Sequence, residues 1–173
     1  MQKIASLLLI LCALVGFSCA LHPKLPDGVT WDEKSGVFRW RLGEVKLPIG
    51  FTYQWDPGSD TFEGHFTSHD GKIVIHHDIG GYAGAYANRR NADSFEEGIV
   101  EGARVWTANR KSSDGKGGQT TLVAVTFPDN GCANFYVQSF NIEDAAPISV
   151  IARSFRPTGR GDAGPLCEAD RRR

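Results

Sequence analysis

The chain lacks a dominant charge: 19 Lys and Arg stand against 20 Asp and Glu, a formal net charge of −1 over 173 residues. Such a balance offers a polyanion little to hold, so nucleic acid is not an expected partner. Apolar runs are scarce too. The one sustained run, residues 7–17, falls short of the roughly 20 residues that a helical bilayer span needs. No transmembrane segment is therefore expected in the mature chain. Signatures of catalysis are also missing: there is no Gly-x-Ser-x-Gly elbow and no His-Glu-x-x-His helix, and the loop "GGYAG" has no following Gly-Lys-Ser/Thr to cradle a phosphate. Ser, His and Asp occur, but no spacing among them selects a triad. Internal repeats are absent, as are low-complexity tracts beyond the Gly-rich loops.

What is present begins with "MQKIASLLLILCALVGFSCA", residues 1–20: one Lys, an apolar run, then the small residues Ser18 and Ala20. This is the pattern of a secretory signal peptide, and it predicts a mature chain starting at Leu21. A rival cut just before Cys19 would leave that residue carrying lipid, but Gly16 stands where a lipid box normally has a branched apolar residue. The expected product is an exported protein, periplasmic or extracellular, with a membrane-anchored lipoprotein as the alternative. Loss of Lys3 with the leader leaves 18 basic against 20 acidic residues, a net charge near −2. Of the four cysteines only Cys132 and Cys167 lie beyond the leader. An even count in an exported chain predicts a disulfide between them.

Periodicity then sets the expected elements. Residues 37–42 alternate, with Phe38, Trp40 and Leu42 on one side, as a half-buried strand does. "EVKLPIGFTYQW" predicts a second strand or a pair interrupted by Pro48 and Gly50. "SFEEGIVEGA" opens on Ser94 with Glu97 three residues on, a capping-box spacing that predicts a short helix, limited by Gly98 and Gly102. "RVWTANR", "QTTLVAVTF" and "CANFYVQSF" read as strands, the last two made antiparallel neighbours by a two-residue turn at Asn130-Gly131. Ile148, Ile151, Ala152 and Phe155 mark one face of a closing helix, with Pro147 in its first turn and Pro157 beyond its end. The expected organisation is a lead-in over 21–36, one domain over 37–157 and a tail over 158–173 tied by the disulfide. The expected class is α+β: a mainly antiparallel sheet of about six to eight strands, covered by a C-terminal helix and one short helix.

In layout, "LPIGF" after a strand, a meander with an Asp-Gly turn and the closing "ISVIARSFRP" resemble the PsbP-like family of α/β sandwich domains. The resemblance spans residues 47–157. It implies a fold whose members serve accessory and binding roles more than any one chemistry.

Four of the five histidines fall within "FEGHFTSHDGKIVIHHD", residues 62–78. With the turn at Asp70-Gly71, or as a four-residue turn over 68–71, His65 opposes His76 and Glu63 opposes Asp78. Phe62, Phe66, Ile73, Ile75 and Ile79 then share the other face. A one-residue slip would scatter those apolar residues, so the register is well specified. Glu63, His65, His76 and Asp78 are thus candidate ligands for zinc or another transition metal, since imidazole and carboxylate suit such ions. Any solvated sheet face shows the same polar alternation, and that is the simpler expectation. His77 lies on the apolar side and predicts a buried or edge histidine with a backbone partner rather than a ligand. Tyr82, Tyr86, Arg89 and Arg90 form a candidate ligand-contacting loop. The four tryptophans read first as packing residues and, as an alternative, as a carbohydrate platform. The expected function is a non-enzymatic exported or envelope-associated binding domain with a protein or small-ligand partner and no cofactor. Its alternative is a metal-binding protein or metal-dependent hydrolase using the histidine face.

Overall fold

The computed structural model describes residues 24–57, 61–80, 85–113, 119–139, 141–159 and Cys167. The proposed leader and most of the tail lie outside these residues.

Alternation in β2 (Val37–Trp40) buries Phe38 and Trp40, and β2 pairs antiparallel with β1 (Thr30–Asp32) and β3 (Gly43–Lys46). The small sheet therefore begins at Thr30, within the segment read as a lead-in. After Pro48 and Gly50 the chain crosses to a second, larger sheet with β4 (Phe51–Trp55). Pro48 offers no donor to a ladder, which suits a point where one strand stops and another sheet takes over.

The large sheet continues with β5 (Phe62–Ser68), β6 (Val74–Ile79), β7 (Ser94–Val100), β8 (Ala103–Ser113), β9 (Gln119–Phe127) and β10 (Ala133–Ser139). Its order is β4-β5-β6-β10-β9-β8-β7, antiparallel throughout. Two meanders, β4 to β6 and β7 to β10, meet where β10 pairs with β6 over Asn134↔Asp78, Phe135↔His77 and Tyr136↔His76. A 3₁₀ turn, Ile142–Ala145, leads into α1 (Ala146–Ser154), and β11 (Arg156–Pro157) returns to β3 as the fourth strand of the small sheet.

Small sheet and α1 cover one face of the large sheet. Phe38 and Val45 from the small sheet meet Phe66, Ile75, Val125 and Phe135 from the large one, with Ile148 and Ile151 from α1 and Phe155 just after it. Full burial of each such side chain contributes about 1.5–3 kcal/mol. The α+β class, the mainly antiparallel sheet and the covering C-terminal helix stand as expected.

Two local expectations are corrected. Residues 94–100 form no helix; they are β7, paired with β8 along its whole length from Ser94↔Asn109 to Val100↔Ala103. Glu101 and Gly102, with φ of 50° and 80°, form the two-residue connection between them, the left-handed geometry that hairpin turns require. Two glycines in ten residues weaken a helix by about 1 kcal/mol each, while Ile99 and Val100 favour extended backbone. The Asn130-Gly131 pair is not a two-residue turn either. Ala133 opposes Phe127, so residues 128–132 form the connection. Asn130 is buried there, donating from Nδ2 to the Leu42 carbonyl at 3.0 Å, while its own carbonyl accepts from Trp40 Nε1 at 3.3 Å. Contacts with the small sheet, not strand twist, shape this loop.

Candidate functional site

The second face of the large sheet carries none of these core side chains. Period-two alternation places Gln54, His65, His76, Tyr136, Ala124, Ala108 and Phe95 in one row across its seven strands. A neighbouring row runs Glu63, Asp78, Asn134, Thr126, Trp106 and Glu97. The histidine hairpin has the expected register, with His65 opposite His76 and Glu63 opposite Asp78. Its turn runs from Ser68 to Gly71, closed by Gly71 N–H donating to the Ser68 carbonyl at 2.8 Å.

Part of this face is covered by the loop over residues 85–92, and buried polar groups hold the loop down. Asn134, fully buried, accepts at Oδ1 from the Tyr86 backbone N–H at 3.0 Å and from Thr126 Oγ1 at 2.6 Å. Thr126 Oγ1 accepts in turn from the Ala87 N–H at 3.1 Å. The Asn134 amide donates to the carbonyls of Asp78 and Cys132. Buried hydrogen bonds of this kind are costly to leave half made, so they fix the loop in one position. The result is a column of rings. Tyr86 stacks on Tyr136 at 4.6 Å and 17°, and Tyr136 stacks on His76 at 5.2 Å and 19°. Beside the column, between loop and sheet, lies a cleft of about 140 Å³ lined by Tyr86, Asn88, Asn91, Ala108, Arg110 and Leu122.

His65 and His76 come together with ring centres 5.8 Å apart, and His65 Nδ1 donates to Asp56 Oδ2 at 2.9 Å. Burial, helped by the neighbouring His65, holds the His76 pKa below its usual value. Glu63 and Asp78 form a second pair. Glu63 Oε1 accepts from Thr61 Oγ1 at 3.0 Å. Asp78 is 6% exposed, and its Oδ1 has no hydrogen-bond partner among the described residues. Burial raises its pKa, and nearby Glu63 adds to the rise, against the Thr61 and Tyr86 hydroxyls. Burial likewise raises both tyrosines. The four predicted ligands thus share a face but sit as two pairs. Among the described residues no three His, Cys, Asp or Glu side chains converge to hold an ion.

Of the loop candidates, Tyr86 joins the column. Arg89 turns away, its guanidinium 5.0 Å above the Phe95 ring and 3.9 Å from Glu97. The Arg90 backbone N–H closes a turn on Asn88 Oδ1. Tyr82 lies outside the described residues. Trp40 and Trp106 are buried, in keeping with the packing role.

His77 is buried as expected, though its partner is a side chain: Tyr53 Oη lies 3.0 Å from Nε2. Nδ1 lies by the Phe62 backbone without reaching hydrogen-bond geometry. Gly64, directly opposite on β5, makes room for this contact; a Cβ there would lie 2.7 Å from His77 Nε2 and 2.6 Å from the Gln54 carbonyl oxygen.

Sequence reasoning missed Asp56, Asn134 and Tyr136 as members of the site. Alternation along β10 puts Asn134 and Tyr136 on one face, which is the available signal. Their neighbours on β6 are 56 and 60 residues away, and no local pattern reveals that pairing. Asp56 reads as turn chemistry because Pro57 follows it.

Cys132 and Cys167 are joined, with Cα atoms 5.3 Å apart. No described helix is long and apolar enough to cross a membrane. Comparison with protein-family models, curated proteins and solved structures finds no match.

Proposed function

We propose that the protein is an exported, non-enzymatic binding domain whose ligand-contacting surface is the second face of the large sheet, centred on Tyr86, Tyr136 and His76. The observation that carries this reading is the buried Asn134–Thr126 clamp. It spends interior hydrogen bonds on positioning a surface loop whose Tyr86 is 39% exposed. Ordering a side chain before a ligand arrives lowers the entropy lost on binding. Aromatic rings with hydroxyl handles, set beside carboxylates and a cleft, make a surface suited to recognition. The absence of catalytic motifs and the resemblance to PsbP-like accessory domains support the same class, and the leader supports export.

A panel of aromatic and sugar fragments screened by ¹H–¹⁵N NMR tests the reading. Perturbed amides are expected to cluster on residues 85–92, 76–78 and 134–136, and Y86A is expected to weaken those fragments at least fivefold. Binding centred instead on the open hollow beside Trp31 and Ile49, or unaffected by Y86A, would reject it.

A further inference from the structure

We propose that His65 and His76 form a site for a divalent transition-metal ion, with Asp56 as the residue that positions one of its two ligands. The inference rests on reading this sheet face as the binding surface, and it names a ligand class for it. Directly opposed on β5 and β6, the imidazoles have ring centres 5.8 Å apart. Two imidazoles on one zinc, with Zn–N bonds of about 2.0–2.1 Å, hold their ring centres about 5–6 Å apart at tetrahedral or somewhat wider angles. The pair therefore stands at ligand spacing.

Each ring is held by a different neighbour. Because a carboxylate only accepts, the 2.9 Å contact with Asp56 Oδ2 puts the His65 proton on Nδ1 and leaves the Nε2 lone pair for a ligand. A carboxylate behind a histidine is the outer-shell contact that fixes tautomer and ring orientation in metal centres. Tyr136 sets the plane of His76 by stacking, and no hydrogen bond among the described residues engages the His76 nitrogens. Neutral imidazoles favour zinc, copper or nickel over calcium or magnesium.

Glu63 and Asp78 drop out of the donor set, one taking the Thr61 hydroxyl and the other buried under the loop. Two protein ligands leave coordination positions for water or for a donor brought by a partner. That is an open site rather than a closed structural centre.

Zinc titration of the untagged full-length protein, followed by NMR of the histidine rings, tests the proposal. One equivalent is expected to bind with shifts confined to His65, His76 and Tyr136, and H65Q or H76Q to weaken it at least tenfold. D56N is expected to weaken it about 10–100-fold. Long-range ¹⁵N shifts of the metal-free protein supply a readout that mere folding would not move: His65 changes from the Nδ1–H tautomer to a mixture in D56N. No uptake by the wild type, or equal uptake by the H65Q/H76Q double variant, overturns the proposal. Fragment binding at Tyr86 in zinc-free protein separates that failure from failure of the binding-surface reading.

Discussion

At His77 the imidazole lies among the rings of Phe38, Phe62, Phe66 and Phe135, and burial pushes its pKa down to about 3. In the unfolded chain the same ring takes its proton near pH 6.5. Between those values the unfolded state binds more protons, so stability is complete above about pH 6.5 and falls as the pH drops towards 3. The largest loss from this one residue is about 5 kcal/mol. Urea unfolding at pH 7 and pH 4 is expected to show a steep acid loss in the wild type and a much flatter one in H77Q, whose amide can still accept from Tyr53. Equal slopes would mean that His77 is not the acid-sensitive group. Asp78 works in the opposite sense. Its raised folded pKa gives stability present at low pH and lost as the pH rises through that value.

Among the elements, β7 shows how a local pattern is overridden. Ser94 and Glu97 have capping-box spacing, yet Glu97 pairs across to Trp106 and the segment ends in a tight turn. The two accounts give opposite signs for one substitution. In a helix Gly102→Ala would stabilise by about 1 kcal/mol. At φ 80°, with open space where the Cβ would go, the same change is expected to destabilise by about 1–2 kcal/mol. Thermal or urea unfolding of G102A decides between them. Elements whose apolar residues sort cleanly onto one face were legible, whereas β7 was not, although its partner β8 is next to it in sequence. The histidine hairpin register follows from sorting Phe66 and Ile75 away from His65 and His76, and α1 follows from Ile148, Ile151 and Ala152. Pairing between distant segments was not. Nothing near residue 136 specifies that Tyr136 will lie beside His76, and nothing in "LPIGF" reveals that β3 and β4 belong to different sheets. The candidate site was therefore half visible: its β5–β6 side could be read, but its β10 side and its loop clamp could not.

For the whole molecule, the Cys132–Cys167 bond ties the tail to the connection between β9 and β10. Their separation of 35 residues makes the cross-link worth about 3–4 kcal/mol by loop entropy. Exported protein is expected to begin at Leu21 and to weigh about 2 Da less than its reduced form. Intact mass before and after reduction checks both ends of the statement; a lipid-modified Cys19 or two free thiols would contradict it. The β6–β10 seam carries a different consequence. Each meander can be zipped up from contacts close in sequence, but three residue pairs join them, and His76, Tyr136, Asp78 and Asn134 all stand on that join. Neither meander alone owns the surface that Tyr86 completes. A ligand seated there would act as a rivet across two separately woven panels, so occupancy would report that the panels had been sewn together and would resist their parting.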